Sequence, residues 1–375
     1  MTRRGRAVHV AGRGAVSGFG AGVATLAARV WGGHSAVRAR ARTAAFPAPT
    51  AVAAEVPAGW LPPGVAEAEL PRLLARAAAR EALAEAGSPD PGGIGLVLAS
   101  TKADLSGVMG AGDGLGSPAR LAARLADELA LGGVRAVVST ACASGLVALS
   151  LAARRIARGE DERLLVVGVD ALGAFVLAGF GSLHALDPGP CRPFDLGRRG
   201  ISLGEGAGAL LLSARASDSL GVAIAGHGGA NDACDALLPD DGGQGLALAG
   251  ARALARAGLA AADVDVIHVH GTGTLANDRS EALGLVRLFG GRTAPAFGTK
   301  AQTGHTLGAA GVLETVLAIE ALRRRIAPPN AGLEEPDVEP RLDLVRDPRP
   351  LARARCALKV AGGFGGIQAA LVLQA

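Results

Sequence analysis

Residues 136–150 read AVVSTACASGLVALS and join strand-forming residues, through small ones, to an apolar helical pattern. The pattern continues to residues 154–159 (RRIARG), which offer basic residues for a last helical turn and a glycine to end it. We therefore predict a strand, a tight turn and a helix, with Cys142 in the turn. Backbone N–H groups and the helix dipole favour a thiolate at such an N-terminus, so Cys142 is a candidate nucleophile. The alternative for a cysteine among small residues is buried filler.

The composition is that of a globular protein, with 375 residues, 49% of them hydrophobic and 19% charged. Aromatic residues make up only 3% while glycine occurs 56 times, which predicts a core built by close backbone approach. No apolar run reaches the length of a transmembrane helix, and the start MTRRGR is not a signal peptide, so we expect a cytoplasmic protein without a membrane partner. The formal net charge is only +4 and the arginines are scattered, which argues against nucleic acid and leaves an acidic protein as a possible partner.

Cysteine and lysine usage narrows the chemistry further. The four cysteines lack paired spacing, so we expect neither a metal site nor a disulfide framework; they are Cys142, Cys191, Cys234 and Cys356. Lysine is rare beside many arginines, and its only positions are Lys102, Lys300 and Lys359. A lysine kept in such a chain indicates a chemical role, and we assign one to Lys300.

The chain repeats one pattern twice. Four segments of the first part return in the same order in the second part: residues 7–14 as 221–228, 80–101 as 252–272, the Cys142 turn as 297–305, and 204–212 as 363–373. These echoes predict an internal duplication with halves at residues 1–215 and 216–375. Each half alternates strands and helices, so each should form a mixed sheet with helices on its faces. Equivalent turns would then face each other across a pseudo-two-fold axis.

The pseudo-two-fold axis would bring two histidines of the second half close to Cys142. His270 ends a hydrophobic strand before GTGT, and His305 lies within TGHTLGAAG, so small residues leave both rings open to a ligand. Either histidine alone would more often be structural, but with Lys300 they form a constellation on equivalent loops. A thiolate suits two-step acyl transfer. Two imidazole donors aimed at one oxygen suit the stabilisation of an oxyanion.

At these motifs the sequence resembles the β-ketoacyl-[acyl carrier protein] synthases (KAS I/II type) of the thiolase superfamily. The motifs extend from the first strand to the last: STACASG at 139–145, RPFD at 192–195, GEGAG at 204–208, HGTGT at 270–274 with Asp278 and Glu281, residues 300–311 with Glu314, and GFGG at 363–366. The resemblance implies the α/β thiolase fold, a duplicated five-layer αβαβα arrangement with two pseudo-two-fold-related mixed sheets. It also implies a dimer, formed with another copy or with a chain-length-factor-like subunit.

The resemblance further implies a decarboxylative Claisen condensation without a cofactor. Cys142 would take an acyl chain from an acyl carrier protein, and His270 and His305 would bind the malonyl thioester oxygen as decarboxylation makes it an enolate. Lys300 would pair with Glu314, and the backbone N–H groups of Cys142 and Phe364 would form a second oxyanion hole. The implied substrate-binding residues are Thr272, Thr274, Thr303, Phe364, Phe180 and Glu314. An ordinary core phenylalanine is an equally good interpretation of Phe180.

Three departures from the family pattern concern the substrate. The segment 99–104 (ASTKAD) replaces a glycine-rich loop, Gly362 replaces an aromatic residue before the gating Phe364, and residues 367–368 are Ile-Gln in place of Thr-Asn. These changes leave chain length and pathway open among fatty-acid, polyketide and aryl-polyene synthesis, and they predict a looser gate.

Three other functions compete with this one. Residues 14–20 imitate a nucleotide-binding turn of short-chain dehydrogenases, but the chain contains no tyrosine for their catalysis. A coenzyme A thiolase would have a second cysteine where this chain has GFGG. A chain-length-factor-like subunit usually lacks the nucleophile that is retained here as Cys142.

Overall fold

The computed structural model describes residues 6–60, 62, 66–103 and 117–375. In chain order the strands of these residues are β1 (His9–Ser17), β2 (Gly20–Ala21), β3 (Arg38–Ala39), β4 (Val52–Ala53), β5 (Ile94–Ala99), β6 (Arg135–Val138), β7 (Arg163–Asp170), β8 (Gly206–Ser213), β9 (Ala223–Asn231), β10 (Val266–His268), β11 (Ala296–Phe297), β12 (Ile326–Ala327), β13 (Arg349–Pro350), β14 (Cys356–Gly363) and β15 (Ile367–Gln374). The α-helices of the same residues are α1 (Val23–Trp31), α2 (Leu70–Glu85), α3 (Pro118–Glu128), α4 (Ser144–Ala157), α5 (Ala174–Ser182), α6 (Gln244–Ala257), α7 (Leu275–Phe289), α8 (Lys300–Thr303) and α9 (Ala310–Arg324).

The main sheet repeats one strand order on both sides of its middle. Among the described residues it has the order β6-β5-β7-β8-β1-β9-β15-β14-β10-β11, with β2 paired to β1. In the first half, the pairs β1–β8 and β8–β7 are antiparallel, and the pairs β7–β5 and β5–β6 are parallel. The second half repeats this pattern: β9–β15 and β15–β14 are antiparallel, and β14–β10 and β10–β11 are parallel. The predicted thiolase-like α/β fold with two related mixed sheets is therefore confirmed. The structure adds that the two half-sheets meet edge to edge at the pair His9–Ala223.

Alternate residues of the central strands enter different apolar layers. In β7, Leu164 and Val166 face a cluster that contains α4 and α9, whereas Leu165 and Val167 face a cluster that contains α2 and α3. This is the period of two expected of a strand that is buried on both faces. Helices α6 and α7 cover the outer face of the second half-sheet in the same way. The layers are thus helix, sheet, helix, sheet and helix, with α4 and α9 in the middle.

Glycines let α4 and α9 touch backbone to backbone. A Cβ atom added at Gly145 would lie 2.7 Å from the backbone nitrogen of Val312, and one added at Gly311 would lie 2.4 Å from that of Leu146. Both contacts are near the helix N-termini, so they bring the loops that precede the two helices together. Cys142 lies in the loop before α4 and His305 in the loop before α9. The close approach that the composition predicted therefore builds the site.

We expect Gly311→Ala to lower the free energy of unfolding by about 1–3 kcal/mol, because its methyl group would overlap the α4 backbone. Urea denaturation of the purified variant measures this loss. Gly93→Ala is the matched control, since a Cβ there has no heavy atom within 4 Å. Equal stability of the two variants would contradict the contact.

No helix among the residues that the structure describes is long and apolar enough to cross a membrane.

Candidate active site

Cys142 lies in the predicted turn, two residues before α4 begins at Ser144. The side chain of Ser144 ties the turn together, because its Oγ accepts a hydrogen bond from Thr140 N at 2.8 Å and donates one to Ala141 O. Ala141 has a φ of 48°, in the left-handed region that non-glycine residues rarely occupy. Cys142 is only 7% exposed. The turn thus holds the thiol in one buried position.

Cys142, His270 and His305 line one cleft of about 580 Å³. The rings of His270 and His305 lie edge to face, with centroids 5.5 Å apart and an interplanar angle of 88°. Four other predicted residues line the same cleft: Phe180, Thr272, Thr274 and Phe364. The structure therefore brings together groups from both halves of the chain, as the duplication predicted.

The remaining predicted residues lie behind the cleft wall. Lys300 is completely buried, and its ammonium forms a 2.6 Å ion pair with Glu314. Thr303 is 2% exposed, and its hydroxyl donates within the α8 turn, 3.0 Å from Thr299 O. Glu314 and Thr303, predicted as substrate contacts, do not line the cleft in this structure because both side chains point into the packed interior.

Lys300 determines which nitrogen of His270 carries the proton. Its Nζ lies 3.3 Å from Nδ1 of His270 and also donates to the backbone oxygen of that residue. An ammonium has only donors, so Nδ1 must accept and the ring proton must be on Nε2. His270 can therefore offer an N–H donor from the side of the ring opposite Lys300.

The loop that carries Phe364 closes over the Cys142 turn. The rings of Phe364 and Phe180 stack with centroids 5.8 Å apart. Backbone hydrogen bonds hold the loop to residues 232–236: Gly365 donates to Ala236 O and Asp232 donates to Gly366 O, each at 2.8 Å. The two C-terminal departures from the family pattern meet here.

Gly362 and Gln368 are direct partners in the β14–β15 ladder. A Cβ atom at Gly362 would lie 3.3 Å from Oε1 of Gln368 and 3.8 Å from Cδ2 of His270, so the glutamine amide occupies the space beside the missing side chain. Its Nε2 donates to Asp232 Oδ2 at 2.8 Å. The third departure is the segment 99–104, which is held by the side chain of Asp170. This carboxylate accepts hydrogen bonds from Ser100 and Thr101. Asp104 lies outside the described residues.

Comparisons with known proteins agree with this geometry. Residues 6–218 match the family model "Beta-ketoacyl synthase, N-terminal domain", and residues 222–334 match "Beta-ketoacyl synthase, C-terminal domain". The chain belongs to the β-ketoacyl synthase family. The predicted family and the predicted acyltransferase class are thereby confirmed.

Members of the family resemble the chain over its full length. It is 32% identical to "3-oxoacyl-[acyl-carrier-protein] synthase 2" of Rhizobium meliloti (strain 1021), over 98% of this chain and 99% of the relative. A crystal structure of a β-ketoacyl synthase from Burkholderia phymatum STM815 superimposes with a TM-score of 0.88 at 27% identity, over 98% of this chain and 99% of the other. "The ishigamide ketosynthase/chain length factor" superimposes with a TM-score of 0.89 at 29% identity, over 99% of each chain.

Both cleft histidines of this β-ketoacyl synthase are neutral near pH 7. Burial and the charge of Lys300 lower the pKa of His305 to about 3. Burial, Lys300 and His305 hold the pKa of His270 well below 6.5. Burial opposes the charge of Glu314, but Lys300 and Lys359 keep the pKa of that carboxyl well below its usual value. Each neutral ring has one donor and one acceptor nitrogen.

The prediction that Cys142 is a thiolate at rest is wrong. Burial raises the pKa of Cys142 to about 12, although the charge of Lys300 acts in the opposite direction. The reason is packing: the thiol is buried among apolar residues that include Leu172, Val176 and Leu307. The resting group is therefore a thiol, and its proton must be accepted by a neighbouring base when it reacts.

We expect the alkylation of Cys142 by iodoacetamide to accelerate about tenfold per pH unit between about pH 7 and 10, without a plateau, because only the thiolate reacts. Mass spectrometry of the labelled peptide gives the rate. The exposed Cys234 provides an internal measure of reagent quality. A plateau near neutral pH would contradict a raised pKa.

Sequence reasoning missed Lys359 and His268. Lys359 is completely buried and forms a 2.7 Å ion pair with the second oxygen of Glu314. His268 is buried beside it, with Nδ1 3.0 Å from Val269 O and Nε2 3.3 Å from Thr299 Oγ1. A signal was present, since Lys359 is the one charged residue in the otherwise apolar run CALKVA.

Proposed function

We propose that this protein is a β-ketoacyl-[acyl carrier protein] synthase that condenses an acyl group held on Cys142 with a malonyl thioester. One observation carries the proposal: a thiol of the first half and two neutral imidazoles of the second half line the same cleft. The family membership and the name of the Rhizobium relative support the same reaction.

In the first step, the Cys142 sulfur gives up its proton and attacks the thioester carbonyl of an acyl carrier protein. The carrier thiolate leaves and takes up a proton, so that the acyl chain is held on Cys142. Backbone N–H groups of Cys142 and Phe364 would bind the oxygen that gains charge. The approach of the two loops supports this role, since a Cβ atom on Gly363 would lie only 3.1 Å from Ala143 N.

In the second step, a malonyl thioester loses CO₂, and the electron pair of the broken C–C bond forms an enolate. The imidazole N–H groups of His270 and His305 donate to its oxygen, which is the group that gains negative charge. The enolate carbon then attacks the acyl carbonyl on Cys142, and the sulfur leaves and takes up a proton from solvent. Lys300 supports this step without contacting the substrate, because it donates to Nδ1 of His270 and so keeps the ring proton on Nε2. Glu314 holds Lys300 in place.

Other cleft residues would bind the substrate without reacting. The hydroxyls of Thr272 and Thr274 lie 3.0 Å apart on one wall of the cleft. They could form hydrogen bonds with the amide groups of the prosthetic arm through which the acyl carrier protein holds its thioester. Phe180 and Phe364 form an apolar wall that suits the acyl chain. We assign Thr303 to the support of α8, from its hydrogen bond to Thr299 O. Backbone hydrogen bonds at Gly365 and Gly366 hold the loop that carries Phe364 in place. The absence of an aromatic residue at position 362 leaves these bonds intact, so movement of the loop also requires that they break.

We further propose an acyl carrier protein as donor and a dimer as the working unit. The edge strand β6 leaves Val137 exposed at 37%, and Phe175 of α5 is exposed at 53%, which suits cover by a second subunit. That subunit is another copy or a chain-length-factor-like chain, by analogy with the ishigamide ketosynthase/chain length factor. A reactive thiol also favours the reducing cytoplasm. We place the seam of the halves near residue 215, between the end of β8 at Ser213 and the start of β9 at Ala223.

Intact-protein mass spectrometry tests the proposal directly. The protein is incubated with a panel of acyl carrier protein thioesters, and malonyl carrier protein is then added. We expect an acyl adduct on Cys142 that disappears as a β-ketoacyl product forms, and the donors that react define the acyl chain. A folded protein that takes no acyl group, alone or with a chain-length-factor-like partner, would contradict the proposal and favour an inactive partner subunit.

A further inference from the structure

A second buried lysine lies behind the histidine pair. Lys359, on β14, donates to the backbone oxygens of Val269 (3.2 Å) and Val360, and its ammonium faces Glu314 Oε2 at 2.7 Å. Burying an ammonium is costly unless it is paired and hydrogen-bonded. The described contacts supply such partners on three sides.

The two lysines hold consecutive carbonyl groups of the loop that carries His270. Lys359 binds the oxygen of Val269, and Lys300 binds the oxygen of His270. On the other side, the carboxylate of Glu281 accepts the N–H groups of His270 and Gly271. The backbone of His270 is therefore held by side-chain hydrogen bonds from both directions.

Glu314 couples the two lysines. Its Oε1 pairs with Lys300 at 2.6 Å and its Oε2 with Lys359 at 2.7 Å, so each ammonium has one carboxylate oxygen. Without Lys359, Oε2 would be a buried oxygen without its counter-charge. Lys300 would then be drawn further onto the carboxylate and away from Nδ1 of His270, its contact at 3.3 Å.

We propose that Lys359 is a positioning residue for His270 in the decarboxylation step. The inference rests on the proposed function, since it concerns the donor to the enolate oxygen. Lys359 does not line the cleft and so acts through Glu314, Lys300 and the Val269 carbonyl. Acyl transfer to Cys142 does not use the enolate donors, so it should depend on Lys359 much less than decarboxylation does.

The charged form of Lys359 predicts a pH dependence. The titratable groups that interact with it are Glu314 on α9, Lys300 on α8, Glu281 on α7, His268 at the end of β10, His270 after that strand and His305 before α9. Burial lowers the pKa of Lys359 to about 8, although Glu314 acts to raise it. The ammonium is present below this pH and is lost as the pH rises through it. Decarboxylation should therefore fall as the pH rises through about 8.

The test separates the two half-reactions of Lys359→Met. We expect CO₂ release from malonyl carrier protein to slow by about 10- to 100-fold through kcat, because a small displacement of a catalytic group costs this much. Acylation of Cys142 should stay within about threefold of the wild type. Leu358→Met, which places the same side chain at the neighbouring buried position of β14, should leave both rates unchanged.

A second variant, Lys359→Gln, and the pH profile of the wild type distinguish a positioning role of Lys359 from a general structural one. Lys359→Gln has a donor without the charge, and its CO₂ release should lack the decline near pH 8. Acylation and CO₂ release that fall together in both variants would overturn the inference, as would unchanged CO₂ release. If neither variant folds, a wild-type profile without a decline near pH 8 overturns it. Failure of the wild type to release CO₂ at any pH would instead reject the proposed function.

Discussion

Cys142→Ala will form no acyl adduct, and formation of the β-ketoacyl product will fall by at least about 10³-fold, because among the described residues Cys142 is the one cysteine that lines the cleft. Intact-mass measurement after incubation with the acyl donor that labels the wild type detects the adduct. Alanine is close in size to cysteine, so the buried turn should fold as before. Unchanged thermal unfolding would verify this.

Cys234→Ala is the matched control for Cys142→Ala. Cys234 is the exposed free cysteine, and its thiol lies 3.9 Å from Leu238 O. This variant should acylate and condense at the wild-type rate. An adduct that persists in Cys142→Ala and disappears in Cys234→Ala would move the nucleophile to the rim of the cleft and contradict the proposed mechanism.

His305→Ala will separate the two steps, with detectable acylation and a condensation rate lowered by about 10²–10³-fold. This is the usual effect of removing one donor to an oxyanion. Acyl transfer does not use the donors to the enolate oxygen, so acylation of Cys142 should remain measurable without His305. Single-turnover assays that follow acyl-Cys142 formation and CO₂ release separately measure the two rates.

His34→Ala is the control for the loss of an imidazole, because His34 is exposed and does not line the cleft. It should leave both steps unchanged. Equal loss of acylation and condensation in His305→Ala would show that His305 serves the nucleophile rather than the enolate. Such a result would require the roles of the two histidines to be reassigned.

The parts of the fold that are local in sequence were predictable. The turn at Cys142 follows from a short strand, small residues and a capped helix, all within residues 135–159. The duplication was visible because equivalent strands kept similar sequences, as in residues 7–14 and 221–228. Pairing equivalent loops across the halves then sufficed to bring Cys142 to His270 and His305.

The parts that depend on packing were not predictable. The pKa of Cys142 rises because distant segments bury the thiol, and a rule for helix N-termini contains no information about burial. The pairing of Lys359 with Glu314 joins β14 to α9, which no local pattern connects. The contact between Gly362 and Gln368 requires the register of the β14–β15 ladder. The meeting of the half-sheets at His9 and Ala223 likewise appears only in three dimensions.

The strand order also determines which half-sheet can form first during synthesis on the ribosome. The strands of the first half-sheet all come from residues before the end of β8 at Ser213, so the half that bears Cys142 can fold while the rest of the chain is still being made. The second half-sheet forms later, because β14 and β15 separate β9 from β10 in the sheet and follow both of them in the chain. Strand β10, which leads into His270, therefore joins the rest of the sheet only after β14 and β15 have been made. A nascent chain that still lacks β14 and β15 therefore carries Cys142 without the completed sheet that positions His270.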